Sequence, residues 1–181
     1  MELTTENEKR LIEQAKKDPS AFEPLYDFYF DKIFVFVLRR VGNREITSDI
    51  VSQVFLKALT NIRGYHFQGF RLSAWLYKIA LNEVRFHYRK SSRNKEFYVD
   101  NDVIQNVEEQ IEESFDEDLI EMISEVLKTL GEDAVHLIEL RFFEQKSFKE
   151  IAFILGIEEG AAKVRTYRLL DKLKLKVNAR L

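Results

Sequence analysis

The stretch from Phe148 to Arg168 admits few folds. Ile151, Ile154 and Leu155 stand at i, i+3 and i+4, which makes one apolar stripe of a helix, and Ala152 is small enough to let a second helix cross close by. Gly156 comes just past the last periodic residue, where a left-handed backbone can close a helix without a Cβ penalty, and Ile157 is expected to drop back into the core. A second helix follows at once. Counting about 100° per residue from Ala162, the positions Thr166, Leu169 and Leu173 stay on its inner side. Lys163, Val164, Tyr167 and Arg168 then point outward, with Arg165 at the edge. Two short helices meeting at such a turn make a helix-turn-helix.

A cationic outer face over an apolar inner face is the form of a helix lying in a DNA major groove. A solvated basic face on an ordinary helical hairpin is the other reading, and the stretch alone favours DNA. With 181 residues the chain falls between one domain and two, so separate cores have to be sought in the pattern. There is no cysteine, which excludes disulfides and thiolate chemistry, and His66, His87 and His136 show no metal-ligand spacing. No metal and no cofactor are expected. Met1 to Glu6 is polar where a signal peptide needs an apolar core, and the longest apolar run, Ile33 to Leu38, is far too short for a bilayer. The expectation is a cytoplasmic protein without membrane insertion. A formal charge of −3 argues against a uniformly basic coat, so the placement of charge carries the argument.

In chain order, Thr5-Glu6-Asn7-Glu8 has the form of a capping box, with Leu11, Ile12 and Ala15 as the inner face of a short helix behind it. Asp18-Pro19 restarts the chain, and a second helix begins near there, its regular part delayed by Pro24. Leu25, Phe28, Tyr29, Ile33, Phe36 and Val37 make that helix apolar on most sides, hence buried. After a Gly42-Asn43 turn, Ile46, Ile50, Val54, Phe55, Ala58, Leu59 and Ile62 follow helical spacing, and the exposed side carries Asp49, Ser52, Gln53 and Lys57. Gly64 to Phe70 breaks the pattern with a ring-rich loop; its aromatics are core plugs or holders of an unstacked base, the plug being the better reading.

The helix expected from about Ser73 to Arg93 has two faces. With Lys78 at 0° on the wheel, Asn82 falls at about 40°, Arg85 near −20° and Arg89 near 20°. Lys90, Arg93 and Lys95 continue the charge, while Leu76, Ile79, Ala80 and Val84 occupy the opposite half with Trp75 and Phe86 flanking. Asn can read an adenine edge and Arg a guanine edge, and both serve phosphates. A solvated stripe remains open as the alternative. From Glu96 to Glu125 there are twelve acidic residues and no basic one, which marks a domain boundary. Leu119, Ile120, Ile123, Val126, Leu127 and Leu130 resume helical spacing up to Gly131, and Val135, Leu137, Ile138 and Leu140 form another helix. The fold class is all-α: a helical domain over 1–95, an acidic flexible linker over 96–117 and a helix-turn-helix domain over 118–181.

With both basic faces in hand, the chain resembles the bacterial RNA polymerase sigma factors of the small two-domain, extracytoplasmic-function group. That family's D-x-x-Q-E-x-F-L-x-A, an aromatic loop and F-x-x-W-L-Y-x-I-A-x-N are similar to Asp49–Ala58 and Phe70–Asn82 here, with Ser52 and Gln53 where the family often has Gln-Glu. Its L-R-Y-F-E-x-x-S-x-x-E-I-A-x-x-L-G-I-x-x-G-T-V-K-S-R resembles Leu140–Glu144, Ser147, Glu150–Ile157 and Gly160–Arg165, with Ala161, Ala162 and Val164 in place of Thr, Val and Ser.

The resemblance implies a transcription initiation factor, not an enzyme. Its first domain, a promoter-melting helical bundle, would dock on core RNA polymerase through Asp49, Gln53 and Lys57. Lys78, Asn82, Arg85, Arg89 and Lys90 would engage promoter DNA near −10, and the loop with Tyr65, His66, Phe67 and Phe70 would hold a flipped base. Lys163, Val164, Arg165, Tyr167 and Arg168 would read the element near −35. An anti-sigma factor is the further expected partner. The alternative is a sigma-like adaptor that binds an anti-sigma factor without recognising promoters, which would not need the two DNA-facing stripes.

Overall fold

A computed structural model describes residues 3–91 and 132–178, and every regular element among them is helical. The fold is all-α. The chain divides into two compact units, Met1–Glu96 and Phe97–Leu181. The acidic linker expected over 96–117 and the helix expected from 119 to 130 lie outside the described residues, as do Arg93 and Lys95.

In the first unit the helices are α1 (Thr5–Ala15), α2 (Glu23–Val41), α3 (Arg44–Asn61) and α4 (Leu72–Ser91). Asp18 accepts the Ser20 N–H at 3.0 Å and opens a single 3₁₀ turn, Pro19–Phe22, that leads into α2, so Pro24 falls in the first turn where no amide is needed. Gly42 and Asn43 make the expected turn, and the Asn43 side chain caps α3 by accepting the Ile46 N–H at 3.0 Å. Helices α2, α3 and α4 pack pairwise around Leu25, Ile33, Phe36, Val37, Val51, Val54, Ala58, Leu72, Leu76 and Ala80, all wholly buried. Phe36 meets Tyr77 edge to face at 4.6 Å. Several residues expected on inner faces are only half-buried, Leu11, Phe28, Ile46, Leu59 and Ile79 among them, and Phe86, expected to flank the core, is 54% exposed. No helix among the described residues is long and apolar enough to cross a membrane.

The start of the chain also differs from the expected capping box. Thr4, not Thr5, is the N-cap of α1, and its hydroxyl accepts the Asn7 N–H at 3.3 Å. Glu8 is thereby released from capping duty and points into the core, where it is 2% exposed. Its carboxylate accepts from the Tyr29 hydroxyl at 2.9 Å, from Arg71 Nε at 2.8 Å and from the Leu72 backbone N–H. Leu72 is the first residue of α4, so this carboxylate sits at the positive end of that helix. Burial first, then the negative charge and hydrogen bond of Glu8, push the Tyr29 phenol above its ordinary range.

Tyr65 lies against Trp75, ring centroids 4.9 Å apart, and is buried, whereas its hydroxyl has no hydrogen-bond partner among the described residues. Burial, with the charge of Glu8 behind it, pushes this phenol up to about 12.

The second unit contains α5 (Glu132–Ile138), a π-helical turn (Glu139–Phe143), α6 (Phe148–Leu155) and α7 (Glu159–Asn178). Leu137, Leu140, Ile151, Ile154, Ala162, Thr166 and Leu169 form its core. Ser147 and Glu150 cap α6 reciprocally, the Glu150 N–H donating to Ser147 Oγ at 3.2 Å and the Ser147 N–H to Glu150 at 2.9 Å. Gly156 closes α6 at φ 69°, a left-handed backbone where any side chain would be strained, and the Ile157 N–H reaches back to the Ala152 carbonyl at 3.0 Å. Ile157 itself is half-buried rather than in the core.

Glu8→Ala leaves three donors without their acceptor and should destabilise the first unit by about 2 to 4 kcal/mol. Trp75 is the only tryptophan, so its fluorescence during urea unfolding reports that unit alone. Tyr65→Phe removes a buried hydroxyl that pairs with nothing and should leave stability unchanged or raise it by about 1 kcal/mol. Both buried phenols hold their protons more tightly folded than unfolded. Stability is therefore unaffected by these groups below about pH 10 and falls as pH rises from there towards about 12, and Tyr65→Phe should flatten that fall in the same fluorescence assay.

Candidate nucleic-acid and polymerase interfaces

The α6–α7 turn determines which residues α7 presents. Since Ala162, Thr166 and Leu169 are buried and Thr166 Oγ donates to the Ala162 carbonyl at 2.9 Å, the helix is held in one rotational phase. Lys163, Val164, Arg165, Tyr167 and Arg168 are all exposed, Arg165, expected at the edge, included. Among the cations stand two large apolar groups, Val164 at 48% and Tyr167 at 52% exposure. Behind Tyr167 lies Phe148, 6.1 Å away, which in turn has the Arg141 guanidinium 4.8 Å over its ring. The face therefore offers charge for phosphates, donors for base edges and apolar contact for thymine methyls.

On α4 the stripe assembles in part. Asn82, Arg89 and Lys90 are exposed, while Lys78 and Arg85 are half-buried and engaged with neighbouring groups. Leu81 and Tyr77 are buried beside the stripe, so the inner face is wider on that side than Leu76, Ala80 and Val84 alone would suggest. Phe86 belongs to the outer face. At about 80° on the wheel it lies nearer to Asn82 than to the core residues, a signal present in the sequence.

The ring-rich loop separates into two groups. Tyr65 is a core plug against Trp75, as its burial shows, and is not on the loop's surface with the other rings. His66 and Phe67 are exposed and Phe70 is half-buried. Gly69, at φ 84°, makes the bend that returns the chain to α4.

On α3, Asp49, Gln53 and Lys57 are exposed. Lys57 is tied across to α4, Nζ lying 2.6 Å from Glu83 Oε1, which leaves Asp49 and Gln53 as the polar groups that face outward most freely. Leu56, 53% exposed, shares this face and escaped the sequence reading. It stands seven residues after Asp49, within about 20° on the wheel, so strict helical counting would have found it.

Comparison with known proteins accords with this geometry. Residues 25–94 match the family described as Sigma-70 region 2, and residues 120–173 match Sigma-70, region 4. The ECF RNA polymerase sigma factor BldN of Streptomyces coelicolor is 32% identical over 169 residues, an alignment covering 90% of this chain and 63% of that protein, so the chain spans just under two thirds of that relative. The ECF RNA polymerase sigma factor SigW of Bacillus subtilis is 29% identical over 179 residues, covering 92% of this chain and 94% of SigW. Among solved structures, CnrH in complex with the cytosolic domain of CnrY shares the fold, with a TM-score of 0.65 and 21% identity, covering 95% of this chain and 97% of that one. Regions 2 and 4 in that order, together spanning more than half of the sequence, show that the chain belongs to the sigma-70 family of RNA polymerase sigma factors, in its extracytoplasmic-function group.

Proposed function

We propose that this protein binds core RNA polymerase and directs it to promoters, with residues 1–95 recognising and melting the element near −10 and residues 118–181 reading the element near −35. The observation that supports the reading is the pair of outward cationic faces, one on α4 and one on α7, each backed by buried apolar residues. Asn82, Arg85, Arg89, Lys90 and Lys78 would engage the upstream element as duplex. His66, Phe67 and Phe70 would hold a base flipped from the nontemplate strand, at a cost of about a few kcal/mol of lost stacking that these contacts offset. Tyr65 supports that loop from inside, through Trp75, and is not itself a base contact.

Lys163, Arg165 and Arg168 would serve phosphates and base edges at −35. The face of α3 with Asp49, Gln53 and Leu56 would dock on the polymerase, Leu56 supplying the apolar centre that a protein interface uses and DNA does not. The chain makes and breaks no bond in this reading, and chemistry belongs to the polymerase. It works in the cytoplasm. CnrH was solved with the cytosolic domain of CnrY, and an anti-sigma factor is correspondingly the further partner for this chain.

The test is transcription in vitro with purified core polymerase on a library of genomic promoter fragments. Arg165→Ala and Lys163→Ala should each reduce promoter use, by about 1 to 3 kcal/mol for a base contact and less for a phosphate contact, with polymerase affinity unchanged. An equal fall in polymerase affinity would remove α7 from DNA. Asp49→Arg should abolish capture of core polymerase with Trp75 fluorescence unaltered, because reversing an exposed charge disturbs a complementary interface far more than a solvated surface. Unchanged capture would take Asp49 out of the interface.

A further inference from the structure

Helix α1 has no part in the reading above, yet it borders the aromatic loop at both ends. Where the loop begins, Arg63 Nε donates to the Lys16 carbonyl at 3.3 Å, which ties the end of α1 to the turn before Tyr65. Where the loop ends, Arg71 and the Leu72 N–H both donate to Glu8, and Arg71 also donates to the Leu3 carbonyl. The loop between residues 65 and 70 is therefore held alongside α1, and the residue after the buried Glu8 faces it. That residue is Lys9. Its Nζ lies 4.2 Å from the centroid of the Phe67 ring.

Lys9 is exposed, and among the described residues no carboxylate bridges it. Glu13, one turn further along α1, is already engaged by Lys16 at 2.6 Å. A phenyl ring has two faces. The ammonium covers one, and with Phe67 41% exposed the ring still presents surface to solvent on which a base can stack. An ammonium on a flexible stem carries three donors, so it can keep its place over the ring while donating to an anion beside it.

The geometry points to Lys9 and Phe67 as one nucleotide subsite for single-stranded DNA, in which Phe67 stacks the base and Lys9 binds the phosphate that flanks it. This rests on the loop being the base-holding element. It extends the DNA surface from the loop to α1 and gives the buried Glu8 cluster a functional consequence, since that cluster sets where Lys9 stands.

The experiment uses the full chain assembled with core polymerase, and as probe a pool of forked DNA duplexes with a short randomised single-stranded overhang on the nontemplate strand. Affinity is measured across a salt titration and the bound overhangs are sequenced. Lys9→Gln should lower the slope of log affinity against log salt by about 0.7, the share of one single-strand phosphate, so that a fourfold rise in salt weakens the variant about threefold less than the wild type. Lys9→Arg should restore the slope. Phe67→Ala should erase a base preference at one overhang position that Lys9→Arg retains. Equal slopes for wild type and Lys9→Gln would overturn the phosphate contact, and a base preference still lost in Phe67→Ala would show that the loop reading survives it. A wild-type pool with no base preference at any position would overturn the loop reading, and with it the subsite.

Discussion

The first unit depends on a carboxylate buried where water cannot reach it. An ionised group in that position is tolerable only when donors replace its hydration, and Glu8 has the Tyr29 phenol, the Arg71 guanidinium and the first amide of α4 around it. Those three donors come from α2, from the end of the loop and from the start of α4, so one side chain of α1 determines how three pieces of chain meet. Its position at the amino end of α4 adds attraction to the helix dipole and settles where that helix begins. The phase of α4 follows from its start and its packing, and with it the direction in which Asn82, Phe86 and Arg89 face.

The second unit positions its outer helix by local rules. Its turn is held by backbone chemistry: a reciprocal cap at Ser147 and Glu150 before α6, a left-handed glycine after it, and a hydroxyl bond from Thr166 inside α7. Local rules of this sort act over three or four residues. They hold the outer face of α7 in register over Ala162, Thr166 and Leu169, the buried groups among that helix's described residues.

Both outer faces mix cations with large apolar groups, Phe86 on α4 and Val164 and Tyr167 on α7. An exposed phenyl or isopropyl group costs solubility unless something covers it. In each case the neighbours are arginines and lysines, which suits nucleic acid, since bases present apolar faces and methyls between phosphates. The face of α3 differs: Leu56 there stands with Asp49 and Gln53, a composition suited to protein. A chain with a net charge of −3 can carry both kinds of surface because charge is unevenly placed along it, twelve of its 31 acidic residues and no basic one lying between residues 96 and 125.

The amino-acid sequence by itself determined the all-α class, the helix-turn-helix, the turn at Gly42-Asn43, the outer faces of α3 and α7 and part of that of α4. Each rests on periodicity or on a turn residue, which are properties of neighbours in the chain. It put Ile79 in the apolar half of α4 and Phe86 at its flank because an apolar residue was taken to be a buried one, although helical counting already set Phe86 beside Asn82. Read from its own residues the ring-rich loop is a core plug, which Tyr65 is; only the family resemblance set Tyr65 among the base-holding rings. What only the tertiary structure decided was the fate of residues whose partners are far away along the chain. Glu8 reads as a helix cap from its neighbours and becomes a core group only because Tyr29, Arg71 and Leu72 lie 21, 63 and 64 residues away in sequence and beside it in space. Tyr65 is a plug because Trp75 closes over it, and Lys9 meets Phe67 because α1 is pinned at both ends of the loop. Contacts of that kind leave no period in a sequence, since they depend on which surfaces the folded chain brings together.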